Sequence, residues 1–348
     1  MSISRYVRQE IFEAIGPEGQ RRICAGSAAV VGCGALGSNI ANNLARSGVG
    51  RLRIIDRDFV ELDNLQRQVL FDESDVRRRM PKAAAAVERL STINSSIQLE
   101  AVVVEISSEN IESLIAGFDV VMDGTDNVEA RLLLNDACLK ARVPYVFGGA
   151  VGATGMTMAI VAGRTPCFRC LMAELPAPGT APTAATAGIL HSTTAVVASL
   201  QCMLALRLLT GTFEPTDELL CLDVWDQEFS RMRVPRRAEC PACVQRRFEF
   251  LAAKPPACAV AVPGTDSVRL PASRPLPVAQ LAEAWRGLGE VVANDWLASL
   301  RVGDLEVVAF ADGRGVVQGT RDVAAAESLF RRYTRLPGLV PFEHRSAP

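Results

Sequence analysis

From Ser27 to Phe147, short apolar runs alternate with segments whose apolar residues recur every three or four positions. Ser27-Ala28-Ala29-Val30-Val31 is a small-and-apolar run ending in Gly32-Cys33-Gly34-Ala35-Leu36-Gly37, and Ser38 to Gly48 then has helical spacing. Leu52 to Ile55 is a second apolar run that stops on Asp56. A strand, a glycine turn, a helix and a strand in about thirty residues make the βαβ unit of a parallel sheet. The alternation continues with a helix over Ala83 to Ile93, a strand over Gln98 to Glu105 and a buried strand over Phe118 to Met122. A helix over Val128 to Ala141 and a strand over Val143 to Phe147 follow. Strands alternating with helices predict a doubly wound α/β sheet.

Beyond Gly148 the pattern changes. Thr154 to Val161 reads as a strand and leads into Pro166-Cys167-Phe168-Arg169-Cys170. Pro176 to Thr186 is rich in Pro, Ala and Thr without periodicity, which predicts a long mobile crossover loop. A long helix over Ile189 to Leu209, a strand over Leu219 to Val224 and a second strand to Val234 precede Cys240-Pro241-Ala242-Cys243. Lys254-Pro255-Pro256 breaks the pattern, so residues 1–253 read as one domain and 254–264 as a linker. Residues 265–335 then form a small α+β module: strand Val268 to Leu270, helix Val278 to Arg286, strand Leu305 to Phe310, strand Val316 to Val317 and helix Val323 to Tyr333. Residues 336–348 are expected to be a flexible tail.

Composition narrows the function. The 348 residues suffice for two domains, and 37 Lys plus Arg against 39 Asp plus Glu give a net charge of -2, without the basic excess of a nucleic-acid binder. Met1 to Gln20 lacks an apolar export signal, and Gln201 and Arg207 interrupt the stretch Thr193 to Leu209, which reads as a buried helix and not a membrane span. A cytoplasmic protein without nucleic-acid or membrane partners is expected. Only two histidines, His191 and His344, accompany ten cysteines. A three-His zinc site is thereby excluded, and chemistry must come from other groups than a Ser-His or Cys-His pair.

Gly32, Gly34 and Gly37 form GxGxxG between a strand and a helix. The first two glycines are expected to give a tight turn and close approach of a phosphate to backbone N–H groups; the third allows helix–strand packing. Asp56, nineteen residues after Gly37 at a strand end, suits ribose hydroxyls. On this motif alone the reading would be a nicotinamide dehydrogenase. The following segment, Asp56-Arg57-Asp58 through Asn64-Leu65-Gln66-Arg67-Gln68, with Lys82 after a short loop, supplies amide donors and cations instead. A triphosphate undergoing displacement needs such cations, whereas a dinucleotide on a helix N-terminus needs few. Cys167-x-x-Cys170 and Cys240-x-x-Cys243 make two chelating pairs, the pattern of a closed structural zinc site with four cysteine ligands. Cys24, Cys33, Cys138, Cys202 and Cys221 are expected to be packed in the core, with Cys258 the remaining candidate for a reactive thiol.

Together, Arg5-Tyr6-Val7-Arg8-Gln9, the glycine turn, the Asp56 to Gln68 run, Pro81-Lys82, Asp123-Gly124-Thr125-Asp126-Asn127 and the two cysteine pairs resemble the ThiF/MoeB/HesA family, adenylating enzymes related to ubiquitin-activating enzymes. The resemblance covers about Arg5 to Cys243 and implies a Rossmann-like doubly wound mixed sheet with an ATP site. It implies adenylation of the C-terminal glycine carboxylate of a small ubiquitin-like sulfur carrier ending in Gly-Gly. In that reading Gly32, Gly34, Ala35 and Gly37 cradle the nucleotide, Asp56 holds the ribose, Asn64, Arg67 and Lys82 hold the phosphates, and Asp58, Gln68 and Asn127 also line the cofactor site. Asp126 holds Mg2+ beside Asn127, and Arg8 reaches the ATP of the other protomer of a homodimer. Asp126 is also a candidate cap for the helix that follows. An ionised carboxylate attacking the α-phosphate needs no general base, which suits a chain with two histidines. Many family members carry a cysteine in the crossover loop, where this chain reads Thr183-Ala184-Ala185-Thr186-Ala187-Gly188. Transfer to a separate sulfur donor therefore fits better than a thioester on the enzyme; activation for conjugation and a non-catalytic scaffold are the alternatives.

Overall fold

The first two apolar runs lie side by side as parallel strands, Ser27–Val31 wholly buried and Arg51–Ile55 alternately buried, as a sheet covered on both faces requires. The computed structural model describes residues 4–174, 184–254, 258–262 and 264–335. The chain packs as two compact units, Met1–Pro255 and Pro256–Pro348. The first opens with α1 (Val7–Ile11), α2 (Gly16–Ala25), β1 (Ser27–Val31), α3 (Ala35–Ser47) and β2 (Arg51–Ile55). It continues with α4 (Glu73–Arg77), α5 (Lys82–Ile93), β3 (Gln98–Val102), α6 (Ile111–Ile115), β4 (Val120–Asp123), α7 (Val128–Ala141), β5 (Tyr145–Val151) and β6 (Thr154–Ile160). It closes with α8 (Phe168–Leu171), α9 (Ala184–Ala187), α10 (His191–Thr210), β7 (Glu218–Asp223), β8 (Glu228–Arg233) and α11 (Glu249–Ala252).

The eight strands form one sheet in the order β3-β2-β1-β4-β5-β6-β7-β8. β3 to β5 pair in parallel, and β5 through β8 pair antiparallel. The sheet is thus mixed and doubly wound, as the family resemblance implied. α10 is long and apolar enough to cross a membrane by length and composition. Here it lies across β5 and β6 and against α3, with Gln201 buried and its Nε2 donating to the Asp123 and Val146 carbonyls. A polar residue that interrupts an apolar helix in the sequence therefore ties that helix to two central strands.

On the other side of the sheet, α7 packs with α8 and α11 around Leu132, Leu134, Phe147, Phe168 and the paired cysteines. Asn135 Oδ1 accepts the Phe168 N–H at 2.9 Å, and Asp136 Oδ2 accepts the Phe250 N–H at 3.0 Å. Burial raises the Asp136 carboxyl to about 6, against the pull of the Phe250 N–H, the Asn135 side-chain amide and Arg169. Between roughly pH 4 and pH 6 the folded chain holds a proton that the unfolded chain has lost, so this group's contribution to stability falls as pH rises through that window. Asp136→Asn keeps the acceptor for Phe250 and removes the titration. Its stability relative to wild type should increase between pH 4.5 and pH 7.5 by on the order of 1–2 kcal/mol, allowing for solvent screening, as read by urea unfolding at both pH values.

The second unit carries β9 (Val260–Ala261), β10 (Ser267–Leu270), α12 (Val278–Trp285), β11 (Glu290–Ala293), β12 (Leu297–Val302), β13 (Leu305–Phe310), β14 (Gly315–Gln318) and α13 (Val323–Thr334). Its six strands are antiparallel in the order β11-β12-β13-β14-β10-β9, and α12 and α13 pack on them around Trp285, Leu281 and Phe330. Helices over Val278 to Arg286 and Val323 to Tyr333 are present; β9, β11 and β12 were not anticipated. Of the loop expected over Pro176 to Thr186, Ala184–Ala187 begins a helical turn and residues 175–183 lie outside the described residues, as do 255–257 of the linker and the tail from 336.

Candidate functional site

Strand order reverses between β1 and β4, and at such a switch point the carboxyl ends of neighbouring strands splay to leave a crevice. The glycine turn leaves β1, Asp56 follows β2 and the turn Gly124 to Asn127 follows β4, so the three segments meet at this one place.

Gly32 has a φ of +84°, and a Cβ on it would lie 2.6 Å from the Gly124 carbonyl oxygen. A Cβ on Gly37 would lie 1.8 Å from the Gly32 oxygen, and one on Gly124 2.2 Å from the same atom. Three glycines from two strand ends and a helix start thus interlock backbone to backbone. Gly32 therefore packs against the β4 turn as well as giving the tight turn its positive φ. Gly34 differs, since among the described residues the only atom within 4 Å of its absent Cβ is Gln68 Nε2 at 4.0 Å. Packing does not demand a glycine there, so its open side fits a phosphate approaching the N-terminus of α3, where Ala35 is the first helical residue. The helix begins at Ala35 and not at Ser38, because Gly37, a poor helix former, is held inside it by the interlock.

Asp56 is fixed beneath the turn. Its Oδ2 accepts the Cys33 N–H at 2.6 Å and its Oδ1 the Asp58 N–H at 2.7 Å, leaving lone pairs for ribose hydroxyls. Burial raises the Asp56 carboxyl above its ordinary value, and Lys82 and the two N–H donors pull it back. Lys82 reaches the same spot because residues 58–60 and 80–82 pair as a short ladder, Val60 N–H to Met80 O and Lys82 N–H to Asp58 O, both 2.9 Å. Its buried ammonium lies 3.9 Å from Asp58 Oδ2. Burial alone would depress it, but Asp58, Asp56, Glu61 and Asp126 outweigh burial and hold it charged. Asp58 is accordingly the counterion of Lys82.

Asn64 is buried, with its amide donating to Asp63 Oδ1 at 2.8 Å and its Oδ1 accepting the Glu61 N–H at 3.3 Å, so it shapes the loop that carries Arg67 and Gln68. Gln68 is buried beside Gly34, and its Oε1 finds no donor among the described residues, which leaves the amide capacity for a ligand on the glycine turn. Arg67 folds back on Asp63, through Nη1 to its carbonyl at 2.7 Å and Nη2 to its carboxylate at 3.6 Å. Any anion approaching Arg67 would therefore compete with Asp63. Asn127, not Asp126, caps α7, its Oδ1 accepting the Ala130 N–H at 2.8 Å. Asp126 stays exposed beside it, accepting among the described residues only the Asn127 amide on Oδ1, and its charge is felt at Lys82 and at Arg57.

Arg8 is placed elsewhere. Arg5 Nη1 donates to the Ile93 carbonyl, Tyr6 lies against Gly48 and accepts from Asn94 at 2.8 Å, and Gln9 donates to the Ser47 carbonyl and to Gln20. Three of the five motif residues thus hold α1 at the C-terminal end of α3, about 18 Å along that helix from the glycine turn by its 1.5 Å rise. Arg8 stands exposed on α1, followed by exposed Ile11 and Phe12.

The four paired cysteines converge. Their sulfurs lie within 4.8 Å of one another, with Cys167 to Cys240 and Cys170 to Cys243 both 3.6 Å and Cys167 to Cys170 4.0 Å. Tetrahedral zinc with Zn–S bonds of about 2.3 Å separates its sulfurs by about 3.8 Å, so the donor set fits that ion. Cys33, Cys138 and Cys202 are buried and Cys221 partly so, but Cys24 is exposed at the end of α2, contrary to the packed role expected of it. Cys258 is exposed.

Sequence reading missed a group beneath the Gly124 to Asn127 turn. Asp123 is fully buried, accepting the Thr125 N–H and hydroxyl on Oδ1 and the Tyr145 hydroxyl on Oδ2 at 2.7 Å. Arg131 Nε lies 3.4 Å from that Oδ2, and Nη2 donates to the Thr125 carbonyl at 2.8 Å. The available signal was the spacing: Arg131 is four residues after the capping Asn127, on the same helix face.

Comparison with known proteins adds three findings. The ThiF family model matches residues 6–242. The chain is 41% identical over 334 residues to the sulfur carrier protein ThiS adenylyltransferase of Bacillus subtilis, covering 94% of this chain and 98% of the relative, and 38% identical over 248 residues to the sulfur carrier protein adenylyltransferase of Thermus thermophilus, covering 69% and 90%. A crystal structure of E. coli MccB shares the fold with a TM-score of 0.61 at 22% identity, over 69% of this chain and 72% of that one.

Proposed function

Because the chain belongs to the ThiF family, we propose that it uses ATP to adenylate the C-terminal carboxylate of a small ubiquitin-like sulfur carrier, releasing pyrophosphate. The observation that carries this reading is the convergence at one strand-end crevice of an open glycine turn, a fixed ribose carboxylate and a buried lysine. Asp56 positions the ribose, the amides of the turn at Gly34 and Ala35 receive phosphate oxygens, and Lys82, Arg67 and Gln68 neutralise or orient the charge that builds toward the leaving pyrophosphate. The attacking carboxylate is already ionised, so in-line placement does the remaining work.

Asp126, exposed and with Oδ2 free of any donor among the described residues, would hold Mg2+, which supplies further neutralisation of phosphate charge. Cys167, Cys170, Cys240 and Cys243 would hold Zn2+ as a closed structural site, in keeping with a reducing cytoplasmic setting. Arg8 cannot reach its own crevice from the far end of α3, which supports a homodimer in which it serves the other protomer and in which exposed Ile11 and Phe12 are covered. The sequence Thr183 to Gly188 has no cysteine, so a separate sulfur donor receives the acyl-adenylate. The domain, linker and module boundaries at 253 and 265 remain part of this reading, with the module from 265 assisting carrier docking or dimer support.

The test is exchange of labelled pyrophosphate into ATP. It should occur only with a carrier ending in Gly-Gly and stop when that tail is removed; exchange with no such carrier overturns the reading.

A further inference from the structure

The turn that presents Asp126 is gripped from beneath and from the side by Asp123 and Arg131, two side chains to which the adenylation reading gives no role. Beneath it, the buried Asp123 carboxylate accepts the Thr125 N–H at 2.9 Å and the Thr125 hydroxyl at 2.6 Å. From the side, Arg131 Nη2 donates to the Thr125 carbonyl at 2.8 Å. The guanidinium lies over Phe147, 5.5 Å from the ring centre, and its buried Nε lies 3.4 Å from Asp123 Oδ2 without hydrogen-bond geometry to it. One arginine therefore compensates a fully buried carboxylate and clasps the peptide unit that precedes Asp126. Among the described residues the Asp126 side chain has no comparable anchor, its one hydrogen bond there being with its neighbour Asn127.

We propose that Arg131 is a positioning residue, holding the Thr125–Asp126 peptide so that Asp126 faces Lys82 across the crevice; this rests on the adenylation reading given above. A side chain that only neutralised Asp123 would need no directional contact, and lysine would serve as well. A planar fork that reaches both the Asp123 carboxylate and the Thr125 carbonyl, while stacked on a ring, fixes direction as well as charge.

Removing Arg131 alone leaves Asp123 buried and uncompensated and lowers stability whatever else it does. The deciding variant is therefore the double change Asp123→Asn and Arg131→Met, which removes the charge and its partner together. Pyrophosphate exchange by full-length protein with a carrier ending in Gly-Gly, beside thermal unfolding, separates the roles. The expected result is a double variant with near wild-type Tm whose kcat is about 10- to 100-fold down with KM for ATP changed little, the cost of a displaced group. Tyr145→Phe, which loosens Asp123 but leaves the Thr125 clasp, should keep kcat within about threefold of wild type. A folded double variant with full kcat overturns the proposal. If the double variant does not fold, Arg131→Lys decides: wild-type kcat in that variant overturns the proposal, and a tenfold or greater loss at unchanged Tm supports it. Absence of exchange by the wild-type protein itself would instead refute the adenylation reading.

Discussion

A mixture of Arg8→Ala and Lys82→Ala protomers, each inactive alone, should recover about a quarter of wild-type turnover. Each single change removes a cation from a site where charge develops, and loss of an arginine supplied in trans costs about 10³- to 10⁵-fold in comparable phosphoryl transfers. Arg8 sits at the opposite end of α3 from the glycine turn, held there by Arg5, Tyr6 and Gln9. If it serves the partner, a mixed dimer combines the intact Lys82 of one chain with the intact Arg8 of the other at one of its two sites. Random exchange makes about half the dimers mixed, hence about one working site in four. Pyrophosphate exchange after co-refolding or subunit exchange reads this directly. A mixture that stays inactive while dimers demonstrably exchange means that Arg8 works in its own chain or not at all.

Cys240→Ser should yield protein without bound zinc and lower Tm by about 10 °C or more. The four sulfurs join the α8 turn after β6 to the loop after β8, segments about seventy residues apart in the chain that otherwise share little regular structure. Loss of a structural metal costs about 3–5 kcal/mol in a domain of this size, less than the 10–16 kcal/mol of isolated zinc peptides because the sheet persists. Metal analysis of wild type should give one zinc per chain. Wild-type protein without stoichiometric metal, or a serine variant with unchanged Tm, refutes the assignment.

Much of this was legible from the chain. β1, α7 and β13 were readable because their apolar spacing is strong and their ends are marked, by Gly32, by Asn127 and by the Asp312-Gly313 turn. β11 and β12 were not, though both are short and apolar, because Asn294-Asp295 joins them as a hairpin inside what reads as one irregular segment. α1 escaped notice since its five residues are largely polar and none is buried. In the site, residue types with a chemistry of their own were found: Asp56, Lys82, the four thiols. What escaped was direction. The difference between Gly32 and Gly34 depends on what each α-carbon meets, a carbonyl of the β4 turn or open space, and the tie made by Gln201 is a contact across 78 residues that spacing does not encode.

α7 joins two places that the sequence holds apart. Its capping Asn127 and its Arg131 serve the turn at the nucleotide crevice, while Asn135 and Asp136, one further turn along, hold the backbone of Phe168 and Phe250 beside the thiol cluster. A 14-residue helix without proline or glycine has no joint between those two ends. The turn that presents Asp126 and the backbone beside the four thiols are therefore carried on one rod, so a shift of either end is felt at the other.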